Sequence, residues 1–195
     1  MDDPKTNRSF YLPRLPRVFY QADAVVFWTF PISHREKGWL NDRFHSTFRE
    51  LVLHTAAREK LFCPTYCLMP DHLHLILMGL QKDSDQLNAV AFLRTHLKPA
   101  LTPAKFQHQP HDHVLAEKER KRGAFAAICY YLLDNPIRAG LVNNARDWPH
   151  LGAIIPGYPK GNPLDAEFWP TFWKLYLQAR DPECLKRKLP PRSAS

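Results

Sequence analysis

The alternating run Asp71-His72-Leu73-His74-Leu75-Ile76-Leu77-Met78 constrains this chain more than any other stretch. In an extended strand alternate residues share a face, so His72 and His74 point one way while Leu73, Leu75 and Leu77 point the other. The leucine row suits a packed sheet. The histidine row sets two imidazoles side by side, a pairing that suits a divalent metal. An isolated His-x-His is also what two polar partners on a half-exposed strand look like, so the chemistry turns on what else converges there.

With 195 residues and 45% hydrophobic content, the chain can bury a core of its own, and its length favours one folded domain. The excess of 27 Lys+Arg over 19 Asp+Glu leaves a formal charge of +8. That balance favours a polyanionic partner, nucleic acid ahead of an anionic membrane. A basic protein without such a partner is the plainer alternative. No apolar run reaches the roughly 18 residues of a membrane span, and the stretch from Met1 to Lys5 is polar, which argues against a secretory signal. Cys63, Cys67, Cys129 and Cys184 have no metal or disulfide spacing and read as reduced thiols of a cytosolic protein.

Along the chain, residues 1–20 are rich in Pro and Arg and read as an N-terminal arm. Residues 24–30 are β-branched and aromatic, a buried strand ended by Pro31. Asn41 is placed to cap a helix reaching Lys60, with Phe44, Phe48, Leu51 and Val52 on its inner face. A strand region from about 65 to 80, broken at Pro70, carries the histidines. A second helix is expected over 86–98, closed by Pro99, then a short strand near His113. A third helix is expected over 124–134, and 168–177 reads as a terminal helix or strand. Strands alternating with helices predict a sheet with helices packed on it; spacing alone leaves strand direction open. The main domain is placed at 21–160, with 161–195 a C-terminal extension ending in a basic tail.

In the third helix Phe125, Ile128, Cys129 and Leu132 form the apolar stripe. Tyr131 and Asn135, four apart, stand together at one border of that stripe, and Tyr130 projects from the other. On this reading His72, His74 and Asn135 would ligate an ion and Tyr131 would be the nucleophile beside it. A divalent ion polarises a phosphodiester while a phenolate attacks in line. A phenol ionises near pH ~10, so such a nucleophile needs positive charge nearby. The same residues have duller readings: Tyr131 as an interface tyrosine, and Asn135-Pro136 as the cap and first turn of a separate short helix stopped by Gly140. A second pair, His111-Asp112-His113, would need Cys63 or Cys67 to build a zinc site.

The blocks 66–75 and 130–142 resemble the His-hydrophobic-His block and the tyrosine helix of single-tyrosine HUH transposases. The form Tyr-x-x-x-Asn-Pro-x-Arg-x-Gly-x-Val, from Tyr131 to Val142, is similar to the branch called REP-associated tyrosine transposases, and residues 111–115 fall where that branch carries an Asp-His block. The match runs over about residues 24–150. The resemblance implies an α+β fold: a central, largely antiparallel sheet flanked by helices, a ferredoxin- or RRM-like HUH nuclease domain. It implies Mg²⁺ or Mn²⁺ held by His72, His74 and Asn135. It implies cleavage and rejoining of single-stranded DNA by Tyr131, through a 5′-phosphotyrosine, beside palindromic hairpins. A bacterial, nucleoid-associated cytoplasmic setting goes with it, as monomer or homodimer. The chain departs from the pattern at Asp71, where Asn is common, and carries the adjacent Tyr130.

Arg94, Lys98, Lys105, Lys118, Arg120, Lys121, Arg122 and Arg138 are the candidates for phosphate contacts, which position nucleic acid without reading its sequence. Trp28 and Trp39 are candidates for stacking on unpaired bases, with core packing the rival reading for Trp28. The competing classes are a hairpin-binding protein that does not cut and a zinc-stabilised interaction domain.

Overall fold

His72 and His74 sit on one strand of a tight hairpin. β2 (Leu61–Met69) and β3 (His72–Gly79) pair antiparallel, with Met69 opposite His72 and Cys67 opposite His74 across the turn at Pro70-Asp71. The computed structural model describes residues 13–158 and 161–180. β1 (Val25–Pro31) pairs with the other side of β3, β4 (His111–Val114) with β1, and β5 (Leu151–Ile154) with β2. The sheet order is β4-β1-β3-β2-β5, antiparallel throughout.

The alternation read in the sequence divides the two faces. Leu73, Leu75 and Leu77 join Val26, Trp28 and Phe30 of β1 in one core, under α1 (Asp42–Arg58) and α2 (Gln86–Leu101). Phe48, Val52, Val90, Leu93 and Leu97 supply the helical side of that layer. Ile76, Met78, Val25 and Cys67 face the other way into a second core, closed by Cys129 and Leu132 of α4 (Ala124–Arg138). Phe168, Phe172, Leu175 and Tyr176 of α5 (Phe168–Arg180) complete it. His74 lies on this second face, at the end of the sheet that α5 does not reach.

Local signals account for three of the helix ends. Asn41 caps α1, its Oδ1 accepting from Phe44 N at 2.9 Å. Asp85 caps α2 through Leu87 N and Asn88 N, at 3.0 and 3.1 Å. α4 is closed just past its C-cap by Gly140, whose φ of 68° allows Gly140 N to bond Ile137 O and Leu141 N to bond Pro136 O, a Schellman close.

Several expectations are corrected. α2 does not stop at Pro99 but runs to Leu101, because a proline in the last turn removes one hydrogen bond and leaves the flanking ones intact. α4 passes through Asn135-Pro136 in the same way, so Asn135 is no N-cap and no separate short helix exists there. β2 begins at Leu61, with Pro64 at a register shift between Phe62 and Thr65. The basic run before α4 includes a helix of its own, α3 (Glu117–Lys121), and 168–180 is helical. Trp28 and Trp39 are both buried and cannot stack on a ligand base. Residues 1–12 of the arm, Cys184 and the basic tail lie outside the described residues.

Candidate functional site

The two imidazoles are oriented by their Nδ1 atoms. His72 Nδ1 lies 2.7 Å from Asp71 Oδ1, and His74 Nδ1 lies 2.8 Å from Thr29 Oγ1 on the neighbouring strand. Both Nε2 atoms therefore turn toward one point and stand 2.9 Å apart. With His72 donating its Nδ1 proton to the Asp71 carboxylate, its Nε2 offers a lone pair; the facing nitrogen must bring either a proton or a shared cation. Two nitrogens bound to one ion at about 2.1 Å on perpendicular bonds would lie about 3 Å apart. The pair fits a divalent ion in separation and in having its outer nitrogens fixed by a carboxylate and a hydroxyl.

Electrostatics keeps His74 neutral. Burial lowers His74 to about 3, reinforced by His72 and opposed by Asp71, so this ring stays uncharged in ordinary buffers. Burial works against ionisation of Asp71, but the hydrogen bond to His72 and the charges of His72 and Arg35 outweigh it and hold the carboxyl below its usual range. Arg35 Nη1 reaches Asp71 Oδ2 at 3.1 Å.

α4 brings the tyrosine over this face. The Tyr131 ring sits 6.3 Å from the His74 ring and 6.4 Å, edge-on, from Phe27. It is 41% exposed, whereas Tyr130 is 69% exposed from the other border of the helix. The Arg138 guanidinium lies 4.9 Å above the Tyr131 ring, a cation fixed beside the phenol. Asn135 stands one turn on, its Nδ2 donating to Tyr131 O at 3.1 Å, which leaves Oδ1 as the group able to ligate or accept. The structure thus gathers His72, His74, Tyr131 and Arg138 on one face, with Asn135 alongside.

Sequence reading did not find Thr29 or the orienting role of Asp71. Asp71 was next to the motif and legible as a partner; Thr29 becomes relevant only through the β1–β3 register, which pairs it with His74. The same register continues to β4, pairing Thr29 with His111, so His111 shares the row of His74 two strands away. Cys63 and Cys67 are buried in β2, separated from β4 by β3 and β1, so the structure does not bring them to His111 and His113. Among the described residues no three His, Cys, Asp or Glu side chains group as metal ligands.

The basic candidates separate into different settings. Arg94, Lys98 and Lys105 line one cavity between α2 and residues 102–108. Arg120 is tied to Asp23, with its Nη1 3.8 Å from Oδ2. Lys118 and Arg122 are exposed at α3, the helix that ends at Lys121. Among the described residues no helix is long and apolar enough to cross a membrane.

No family model matches the chain. A Haemophilus influenzae protein provisionally named a REP-associated tyrosine transposase is 23% identical over 146 residues, 67% of this chain and 80% of the relative. In fold, the chain is similar to a REP-associated tyrosine transposase whose structure is bound to a REP hairpin. That similarity has a TM-score of 0.59 and 18% identity, over 72% of this chain and 82% of that one. The solved structure shares the antiparallel α+β fold that the two motifs implied, and the sequence relative carries the name of the branch those motifs resemble.

Proposed function

We propose that this protein is a metal-dependent DNA strand transferase that cleaves and rejoins single-stranded DNA beside a hairpin, with Tyr131 as nucleophile. The observation that carries the reading is the convergence of the two Nε2 atoms, 2.9 Å apart, on the face that Tyr131 overhangs. The names of the sequence relative and of the hairpin-bound structural neighbour support DNA hairpins as the substrate class.

Asp71 and Thr29 hold the histidine rings so that His72, His74 and the Asn135 carbonyl present three donors. These donors would hold Mg²⁺ or Mn²⁺, and the chemistry such an ion would supply is Lewis-acid polarisation of the scissile phosphodiester. Tyr131 attacks phosphorus in line as its phenolic proton leaves to solvent: its Oη–P bond forms, the bond from phosphorus to the 3′ oxygen breaks, and that oxygen takes up a proton from solvent as a free 3′-hydroxyl. The 5′ phosphate remains on Tyr131 until a 3′-hydroxyl attacks it in reverse. Arg138, packed on the phenol ring, keeps a positive charge beside the reacting groups. The exposed cations of α2 and α3 bind the DNA backbone.

The test is incubation with a hairpin oligonucleotide carrying single-stranded flanks, with Mg²⁺ or Mn²⁺, followed by denaturing electrophoresis. A covalent protein–DNA band is expected, lost with chelator, lost in Tyr131→Phe and kept in Tyr130→Phe. An adduct that survives Tyr131→Phe overturns the nucleophile. Tight, salt-sensitive hairpin binding with no adduct under either metal would leave a binding protein that does not cut.

A further inference from the structure

On the leucine face of the sheet, opposite the histidines, a cavity of about 500 Å³ opens between α2 and residues 102–108. Arg94, Lys98 and Lys105 all line it, and no acidic side chain does. Several arginines among the described residues have a carboxylate: Arg14 has Asp112, Arg17 has Asp85, Arg35 has Asp71, Arg146 has Asp165. Among the described residues, no ion pair is formed by Arg94, Lys98 or Lys105. Arg94 is half-buried; its Nη2 donates to the carbonyls of Gln107 and His108, while its Nη1 is buried with no hydrogen-bond partner. Burial, then the nearby charge of Arg14, pulls Arg94 down to about 10. A guanidinium withdrawn from water without a counter-ion is costly, and an anion between it and the two lysines would remove that cost.

The position matters as much as the charge. Residues 105–107 are bonded to the end of β1: Ser33 N to Lys105 O at 2.7 Å, Gln107 N to Pro31 O at 2.9 Å. The adjacent Ile32 N bonds Asp71 O at 3.0 Å, and Asp71 orients His72. The cavity is therefore built onto the same end of the sheet as the histidine pair, around the edge from it.

We propose that this cavity is a phosphate site that seats one backbone phosphate of the bound DNA, held by Arg94, Lys98 and Lys105, so that the nucleic acid reaches around the end of the sheet and touches both faces. The volume admits a phosphate together with its sugar. The DNA assignment rests on the proposed function; the phosphate chemistry rests on the cavity alone.

The test uses the full chain and two probes. Inorganic phosphate, compared with chloride at equal ionic strength, is expected to raise the Tm of the wild type by several degrees and to leave Lys98→Gln/Lys105→Gln unshifted. These lysines are exposed, so the variant should match the wild type in chloride. Hairpin binding followed over a salt series should show a slope of log K on log salt shallower by about 1 for each lysine removed. Lys174→Gln on α5 controls for net charge and should leave the slope unchanged. A phosphate shift with an unchanged slope would overturn the DNA assignment in favour of free phosphate. A changed slope without a phosphate shift would overturn the built site in favour of diffuse attraction. If neither responds, the proposal falls entirely. Failure of the wild type to bind any hairpin sinks the proposed function instead, and with it the DNA assignment, while the phosphate measurement still reads the cavity.

Discussion

Thr29 Oγ1 lies 2.8 Å from Nδ1 of His74, so a residue 45 positions away fixes the orientation of the more buried histidine. Partners of this kind set ring orientation, and their removal costs about 10- to 100-fold in metal affinity. Thr29→Val keeps the β-branched shape and removes the hydroxyl. Its Mn²⁺ affinity, read by calorimetry, should fall by about that factor with secondary structure retained. Unchanged affinity would show that the hydroxyl does not orient the ring.

Arg138 is expected to act on Tyr131 as well as on DNA. A cation over an aromatic ring is worth about 0.5–2 kcal/mol, so Arg138→Gln should slow single-turnover adduct formation by about 10-fold at saturating DNA. Rescue by Lys should be partial, since the guanidinium plane stacks and an ammonium does not. A loss seen only as weaker hairpin binding would reduce Arg138 to a phosphate contact.

Two glycines separate backbone strain from steric collision. A Cβ at Gly140 meets nothing within 4 Å, so Gly140→Ala carries only the penalty of its φ of 68°. That should be about 1–2 kcal/mol by urea denaturation. A Cβ at Gly79 would fall 1.7 Å from Ala22 O, a backbone atom that cannot swing aside. Gly79→Ala should cost about 3 kcal/mol or more, or leave no folded protein. Equal losses at the two sites would contradict the packing described.

Stability should decline on mild acidification, partly through His45. Its Nε2 lies 2.8 Å from Tyr66 Oη, which also accepts from Arg49 Nη1 at 2.5 Å, so the phenol donates to a neutral imidazole. Burial lowers His45 to about 4, with His150 and Arg49 adding and Asp42 opposing. The folded value lies below the unfolded one near ~6.5, so the unfolded chain binds more protons between them. The contribution is complete above the unfolded value and is lost as pH falls toward about 4. His74 and His150, also lowered, act in the same direction. Urea midpoints from pH ~7 to ~4 should therefore drop, and His45→Gln should flatten the curve; an equally steep curve would remove His45 from the account.

Much of this architecture was legible before any coordinates. Leu73, Leu75 and Leu77 declared a buried face by alternation, Asn41 marked a helix start, and the stripe through Cys129 and Leu132 put Tyr131 at its border. Those signals are local. Thr29 was not legible, because its importance depends on which strands pair and in what register. β5 was missed because four residues of ordinary composition become a strand only by lying along β2. Pro99 and Pro136 misled because a proline reads as a helix end, while near a C-terminus it removes a bond the turn can spare. The meeting of Lys98 with Lys105 depends on how residues 102–108 fold back on α2.

The uninterrupted course of α4 through Pro136 mounts the phenol and the carboxamide on a single rigid rod. Any displacement that carries Tyr131 toward or away from the imidazoles carries Asn135 with it, so the proposed attacking group and the proposed third donor arrive together or not at all.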